Sequence, residues 1–230
     1  MSDDLSRYLD SLERESRYRV EAVLKESDFE TTQRVFLADG GAERGPFIRK
    51  FIKRDKGLGV AYERIYEAQL AGRTFKHMPS ILECYPHDEN TVVVMEFVEG
   101  ETLQDLVYRL DPSVELAQAV FPPLCDAVRE LHESFDPPLI HRDLKPSNVI
   151  VSFDSAEDNM VLQFDKTSST QCKVTIIDFG IAREYDEEAL EDTAHFGTRD
   201  FAPPEQFGYG QTSESSDVYA LGLLLFFCLT

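Results

Sequence analysis

The amino-acid sequence predicts an α+β fold in two parts, a small antiparallel sheet with one helix and then a mainly helical part. Apolar and polar residues partly alternate between residues 18 and 52, as they do in half-buried strands. After Gly100 the spacing of apolar residues changes to that of amphipathic helices. This change predicts a boundary near Gly100, with one lobe at 18–98 and a second at 99–230.

The first part contains four predicted strands and one helix. The strands are expected at Tyr18–Leu24, Gln33–Ala38, Phe47–Ile52 and Thr91–Phe97. The helix is expected within Gly57–Ala71, where apolar residues return at helical spacing. Before the first strand, Leu5, Tyr8, Leu9 and Leu12 share one helical face, which predicts an amphipathic docking helix within residues 1–17.

The second part begins with two predicted helices. The first includes Leu103–Leu110, and the second includes Leu124–Leu131 and starts or kinks at Pro122-Pro123. Two short strands, Val149–Ser152 and Val174–Ile177, flank a polar stretch at 154–171 that we interpret as a solvent loop. The apolar run Ala220–Leu229 is shorter than the roughly 20 residues that a bilayer requires, and predicts a buried helix.

Composition and charge argue against nucleic-acid binding, a metal site built on cysteines and a signal peptide. The chain has 230 residues, with 43 acidic against 23 basic side chains, a net charge of −20 that disfavours nucleic acid as a partner. The four cysteines are far apart and have no metal-ligand spacing. The acidic N-terminus lacks the basic region and apolar run of a signal peptide, so we expect a cytoplasmic protein with no membrane segment in these residues.

Two short motifs carry the strongest functional signal. His141–Asn148 reads H-R-D-L-K-P-S-N and precedes a short strand, and Asp178–Gly180 reads D-F-G and follows the next strand. With Gly197–Glu205 and Asp217–Gly222 following in order, they resemble the catalytic domain of eukaryotic-type protein serine/threonine kinases. The resemblance implies a two-lobed fold with ATP and Mg²⁺ in the cleft. The implied reaction transfers the γ-phosphoryl group to Ser/Thr hydroxyls of proteins.

The resemblance assigns roles to residues of the second lobe. Asp143 is the carboxylate that would orient the acceptor hydroxyl and accept its proton, and Lys145 would contact the γ-phosphate. Asn148 and Asp178 would supply oxygen ligands for Mg²⁺. The residues expected to support this geometry are His141, Arg142, Phe179 and Asp217.

In the first lobe the resemblance implies an ATP-binding set. Phe47–Lys50 is similar to the family's V-A-I-K strand and places Lys50 over the α- and β-phosphates. Glu67 is expected to hold that lysine, with Glu63 as the reserve. Met95 is expected to be the gatekeeper residue, and backbone groups of Glu96 and Val98 to bind adenine.

The segment after Asp178 is expected to form the acceptor platform and to be regulated. Thr198 would face Asp143. In the family, Glu205 pairs with an arginine from the part that would follow Thr230, so we expect its carboxylate to lack that partner here. Thr193 lies where the family is phosphorylated. Because acidic residues surround Thr193, we expect its phosphorylation to activate only modestly. Small-molecule kinases of related fold generally lack these segments, which points to a protein as the acceptor.

Two departures from the family pattern leave alternatives open. The stretch at 24–35, where a glycine-rich loop is expected, contains no glycine, and Glu26, Asp28 and Glu30 would repel ATP unless they point outward. We therefore expect weak nucleotide affinity or a different loop conformation. A pseudokinase that acts as a binding or scaffolding module is the alternative function. The chain ends at Thr230 in an apolar helix, and we expect a truncated kinase domain.

Overall fold

The computed structural model describes residues 14–39, 42–54, 57–153, 172–185, 198, 200–207 and 211–230. These residues form two compact units. The first comprises the chain up to Arg73 together with Ser80–Phe97, and the second comprises Thr74–Pro79 and Val98–Thr230. Residues 14–16 are helical, whereas the rest of the predicted N-terminal helix and the predicted loop at 154–171 lie outside the described residues.

In the described residues, the first unit contains a five-stranded antiparallel sheet and the helix Val60–Leu70. Its strands are β1 (Tyr18–Glu26), β2 (Glu30–Asp39), β3 (Ala42–Lys53), β4 (Ile81–His87) and β5 (Asn90–Glu96). They lie in the order β1-β2-β3-β5-β4, and all neighbouring pairs are antiparallel. The prediction of an antiparallel sheet in this part of the chain is confirmed, although each predicted strand differs at its ends.

Strand β4 has no counterpart in the sequence prediction. Its sequence, I-L-E-C-Y-P-H, contains a proline, a glutamate and a histidine and lacks a regular alternation, so it was not recognised as a strand. The strand forms because β5, whose residues Thr91–Met95 are all buried, pairs with β4 along its free edge. Tertiary pairing thus determines the structure of β4.

Helix α1 (Val60–Leu70) is the predicted helix of the first unit. It buries Ala61, Tyr62 and Ile65, which recur at helical spacing on one face. Tyr62 and Ile65 are each 1% exposed. The acidic residues of α1, Glu63 and Glu67, are exposed. The helix therefore directs its apolar face, and not its carboxylates, into the unit.

A tight turn at Ser27–Phe29 joins β1 to β2. The Ser27 amide donates to the Glu30 carbonyl at 2.9 Å, and the Ser27 hydroxyl accepts from the Glu30 amide at 3.1 Å. None of the three turn residues has positive φ, so this turn does not require glycine. The structure therefore has a hairpin where a glycine-rich loop was expected.

In the described residues, the second unit contains three α-helices, two short 3-10 helices and five short strands. The α-helices are α2 (Leu103–Leu110), α3 (Val114–Glu133) and α4 (Glu214–Leu229). The strands are β6 (Glu101–Thr102), β7 (Leu139–Ile140), β8 (Val149–Phe153), β9 (Cys172–Ile176) and β10 (Arg183–Glu184). They form a sheet of order β6-β8-β9 and a separate pair, β7 with β10. The predicted mainly helical second part is confirmed.

The sequence predicted that this helix starts or kinks at Pro122-Pro123. Helix α3 begins eight residues before Pro122, so the predicted start is wrong, whereas the kink stays a prediction. Ser113 caps the helix by accepting from the Leu116 amide at 3.1 Å. Pro123 has no N–H for the carbonyl of Ala119, four residues earlier. The Cys172 thiol of β9 approaches that carbonyl at 3.1 Å and acts as the donor. A contact distant in sequence thus compensates for the proline.

Gly100 allows the chain to pass close to β8 at the start of the second unit. Its φ is 145°, and a Cβ at this position would lie 2.6 Å from the carbonyl oxygen of Val151. Only glycine fits both the dihedral angle and the approach. No helix in the described part of the chain has the length and apolar character needed to cross a membrane.

Candidate active site

Asp143 is the centre of a group of polar side chains in the second unit. Its Oδ2 accepts from the Lys145 ammonium at 2.6 Å and from Asn148 Nδ2 at 3.1 Å. Its Oδ1 accepts from the Thr198 hydroxyl at 2.8 Å. Lys145 also donates to the Thr198 hydroxyl at 2.9 Å. The four predicted residues therefore form one hydrogen-bonded group around a carboxylate.

The two predicted magnesium ligands lie at neighbouring strand ends. Asn148 directly precedes β8, and Asp178 follows β9 by two residues. The strands are antiparallel, with Val149 opposite Ile176, and the Ile177 amide donates to the Asn148 carbonyl at 2.9 Å. Asp178 has a left-handed φ of 69°, which is unusual for a residue with a side chain. The backbone thus places both residues at one end of the β8–β9 pair.

This donor set fits magnesium. Asn148 Nδ2 donates to both the carbonyl and the carboxylate of Asp143, which leaves Oδ1 as the amide oxygen for a cation. An amide oxygen and the Asp178 carboxylate are hard ligands of the kind that Mg²⁺ prefers when substrate phosphates supply the others. In the described residues no cluster of three or more His, Cys, Asp or Glu ligands occurs.

Asp217 of α4 fixes the backbone that precedes Asp143. Its carboxylate is 1% exposed and accepts from the amides of His141 at 2.8 Å and Arg142 at 3.0 Å. His132 of α3 lies 2.8 Å from the same carboxylate through Nε2, and donates to it. Three donors stabilise this buried charge, which would be costly to bury alone.

His141 and Phe179 pack together and connect the two motifs. Their rings meet edge to face with centroids 5.2 Å apart, and the two residues are 0% and 1% exposed. His141 Nδ1 accepts from the Asp143 amide at 3.3 Å, and its Nε2 donates to the Ile177 carbonyl at 3.1 Å. Sequence reasoning assigned both residues to support, and the structure places both in the core.

Arg142 has a left-handed backbone with φ of 67°. Its carbonyl accepts from Gln206 Nε2 at 2.6 Å, and its guanidinium donates to the Ile181 carbonyl at 3.3 Å. Gln206 is 0% exposed. The Arg142 amide, bound to Asp217, and its carbonyl, bound to Gln206, thus hold a backbone conformation that costs free energy in isolation.

The described part of the segment after Asp178 includes Thr198 and Glu205, whereas Thr193 lies outside the described residues. The Glu205 carboxylate, expected to lack a partner, accepts from the Ser216 hydroxyl of α4 at 2.7 Å. Ser216 also accepts from the Ser213 amide at 3.1 Å as part of the α4 capping box. The end of this segment is therefore tied to the start of α4.

In the first unit, Lys50 has a carboxylate partner that the sequence did not predict. Its ammonium donates to Glu30 Oε1 at 2.8 Å, and both residues are buried, at 5% and 8% exposure. Glu67, the expected partner, is exposed on α1. The reserve, Glu63, is also exposed and accepts from the Thr91 hydroxyl at 3.2 Å. Instead of a carboxylate, α1 directs the Tyr62 ring toward Lys50, 5.7 Å from Nζ to the ring centroid.

The residues expected to contact adenine lie at the end of β5 and just beyond it. Met95 is 3% exposed and lies opposite Ile48 and Ile81 in the sheet. The Glu96 amide donates to the Ser80 carbonyl at 2.9 Å, and the Glu96 carboxylate accepts from the Ser80 amide at 3.0 Å. Val98 is half-buried in the second unit. The roles of these residues in binding adenine stay predictions.

Sequence reasoning missed several residues that hydrogen-bond to the predicted site residues or to their partners. Glu30 was considered only as a charge that could repel ATP, and Thr32, His132, Gln206 and Ser216 were not considered. No local pattern identified Glu30, because its place beside Lys50 follows from the β2–β3 register. In that register Thr32 lies opposite Lys50, and Glu30 shares the face of Thr32.

Comparisons with known proteins agree with this geometry. The family model described as "Protein kinase domain" matches residues 35–230. The chain is 32% identical over 192 residues to the serine/threonine-protein kinase PknB of Mycobacterium leprae, covering 80% of this chain and 27% of that protein. PknB of Mycobacterium tuberculosis is 30% identical over 193 residues, with the same two coverages.

A probable serine/threonine-protein kinase PknB of Lactococcus lactis is 36% identical over 140 residues, which cover 60% of this chain and 19% of that protein. The chain thus spans about a quarter of the length of the curated relatives from Mycobacterium that it matches. The geometry of the proposed catalytic loop, His141–Asn148, agrees with the family match over most of the sequence. This chain belongs to the protein kinase domain family and is similar to its serine/threonine kinases.

Proposed function

We propose that this chain is an active serine/threonine protein kinase that transfers the γ-phosphoryl group of ATP to a protein hydroxyl. The observation that carries the proposal is the fixed carboxylate of Asp143, held by Lys145, Asn148 and Thr198 at 2.6–3.1 Å. Phosphoryl transfer requires mainly positioning and charge stabilisation, and an oriented carboxylate supplies the first.

In the proposed step, the acceptor hydroxyl approaches Asp143. The oxygen–phosphorus bond to the γ-phosphoryl group forms as the bond to the β-phosphate oxygen breaks, and ADP leaves. The hydroxyl proton passes to the Asp143 carboxylate. Lys145, already 2.6 Å from that carboxylate, offsets negative charge on the transferred group.

Asn148 and Asp178 are the residues that would hold Mg²⁺, which when bound neutralises charge on the phosphates. The Asn148 amide hydrogens are used by Asp143, so its oxygen faces away from the carboxylate. Lys50 is proposed to bind the α- and β-phosphates, and Met95, Glu96 and Val98 to contact adenine. A cytoplasmic location and the activation by Thr193 phosphorylation stay predictions.

A pseudokinase is the second candidate function, and the hairpin at Ser27–Glu30 favours it. A glycine-free turn presents side chains at the place where backbone amides would cover the phosphates. In addition, the Lys50 ammonium is already hydrogen-bonded to Glu30. The proposed ligands and the catalytic carboxylate argue against this candidate, because all of them are present.

Radiolabelled ATP with a generic protein acceptor separates the two candidates. An active kinase gives labelled phosphoserine or phosphothreonine in wild type and none in Lys50→Met. Asp178→Ala additionally weakens binding of Mg²⁺–ATP, measured by titration calorimetry, because it removes a metal ligand. Nucleotide binding without transfer, in the presence of several acceptor proteins, would favour the pseudokinase.

A further inference from the structure

A buried cluster on one face of the first unit joins Glu30, Thr32 and Lys50. Glu30 Oε1 accepts from the Thr32 hydroxyl at 2.6 Å and from the Lys50 ammonium at 2.8 Å. The three residues are 8%, 8% and 5% exposed. These two short hydrogen bonds to one oxygen hold the buried carboxylate in place.

The register of the sheet builds this cluster. Thr32 lies directly opposite Lys50 in the β2–β3 pair, and Glu30 is two residues before Thr32 on the same face. The hairpin turn fixes the start of β2 through the Ser27 hydroxyl, which accepts from the Glu30 amide at 3.1 Å. The position of the Glu30 carboxylate therefore depends on elements of the sheet and not on helix α1.

Helix α1 presents a different group to the lysine. Its two candidate carboxylates, Glu63 and Glu67, are exposed, and its buried Tyr62 directs its ring to Lys50 at 5.7 Å. An aromatic ring stabilises a cation above it but does not fix the orientation of the ammonium group. A short hydrogen bond to a carboxylate does fix that orientation. The carboxylate that orients Lys50 therefore comes from β2 and not from α1.

We propose that Glu30 is a positioning residue that holds Lys50 for binding nucleotide phosphates, in place of a carboxylate from the helix. The proposal rests on the proposed kinase function for the identity of the ligand. Lys50 is ordered from within its own sheet, so its orientation does not require a particular rotation of α1. A Glu30 that merely blocked the phosphates would have the opposite effect on nucleotide affinity.

A double-mutant cycle tests the proposal. The affinity of the full chain for the Mg²⁺ complex of a non-hydrolysable ATP analogue is measured in wild type, Glu30→Gln, Lys50→Met and the double variant. We expect Glu30→Gln to weaken binding about tenfold in the wild-type background and less than about twofold beside Lys50→Met. Glu26→Gln, which removes an exposed carboxylate at the end of β1, is the matched control. A purely structural role would weaken binding equally in both backgrounds and would overturn the proposal.

Two other results would also contradict the positioning role of Glu30. Tighter binding in Glu30→Gln would identify a blocking group, and a loss confined to Glu67→Gln would return the role to the helix. If Glu30→Gln does not fold, Thr32→Val keeps both charges and removes the bond that orients Glu30. Thr32→Val should weaken binding about threefold, again only with Lys50 present, and an unchanged affinity would contradict the proposal.

The same variants separate this proposal from the proposed function. Coupling between Glu30 and Lys50 in a chain that binds nucleotide but transfers no phosphoryl group would support the positioning role and refute the kinase activity. Phosphoryl transfer without coupling would refute the positioning role alone. A wild-type chain that does not bind the nucleotide would overturn both.

Discussion

Thr198 donates a hydrogen bond to Asp143 at 2.8 Å and accepts one from Lys145 at 2.9 Å. The hydroxyl therefore joins the segment after Asp178 to the catalytic loop. Thr198→Val keeps the shape of the side chain and removes both bonds, whereas Thr198→Ser keeps them. We expect kcat to fall by about tenfold to a hundredfold in Thr198→Val and by less than about threefold in Thr198→Ser.

Steady-state kinetics with a fixed protein acceptor check this prediction. The melting temperature of each variant serves as the control for folding. Equal activity of the valine and serine variants would show that the hydroxyl does not orient Asp143.

Asp217 supports the catalytic loop from α4, and its substitution should affect stability and activity together. Asp217→Asn removes a buried charge that accepts from two backbone amides and from His132. Hydrogen bonds to charged groups contribute about 1.5–3 kcal/mol each, so a loss of at least about 2 kcal/mol in the free energy of unfolding is expected. Urea unfolding measures it. Asp126→Asn, which changes an exposed carboxylate, is the comparison, and equal stability of the two variants would contradict the role assigned to Asp217.

The Cys172 thiol replaces the hydrogen bond that Pro123 removes from α3. Cys172→Ala should lower the free energy of unfolding by about 1 kcal/mol, because the Ala119 carbonyl loses its donor. Pro123→Ala restores a backbone N–H four residues after that carbonyl. The cost of Cys172→Ala should therefore be smaller in the Pro123→Ala background, as measured by urea unfolding of the four proteins. Identical costs in the two backgrounds would show that the thiol does not compensate for the proline.

Burial of cysteines makes stability depend on alkaline pH. Burial raises the pKa of Cys172 and of Cys228 to about 11. In the unfolded chain a thiol ionises near pH 8.5, so the folded state binds more protons above that value. The stability from these thiols is complete below about pH 8.5 and is lost as pH rises toward about 11.

Urea unfolding at several values of pH tests this dependence. The free energy of unfolding should fall between pH 8.5 and 10, and the fall should be smaller when Cys172 and Cys228 are both changed to alanine. An equal fall in the two proteins would assign the pH dependence to other groups.

The sequence predicted that Asp143, Lys145 and Asn148 lie together, and this was possible because they are close in the sequence. Asp143, Lys145 and Asn148 lie within six positions, and one local chain path brings them together. Their distant supports were harder to predict. Gln206 reaches the Arg142 carbonyl from 64 residues away, a contact that depends on how the segments of the second unit pack.

In the first unit, too, local structure was easier to predict than contacts between segments that are distant in the sequence. Sequence patterns identified four of the five strands, but β4 depends on its pairing with β5, and no local pattern reveals that pairing. The choice of Glu67 as the partner of Lys50 came from family resemblance and helix position. The contact with Glu30 depends instead on the register of β2 against β3. A one-residue shift of that register would move Glu30 to the other face.

The most direct test of the account is Asp143→Asn assayed for both nucleotide binding and phosphoryl transfer. The amide is nearly isosteric and cannot accept the hydroxyl proton, so we expect Mg²⁺–ATP affinity within about threefold of wild type. We expect the rate of transfer to a protein acceptor to fall by at least about a hundredfold. A variant that binds nucleotide and keeps near-normal turnover would contradict the assignment of Asp143 as the catalytic base.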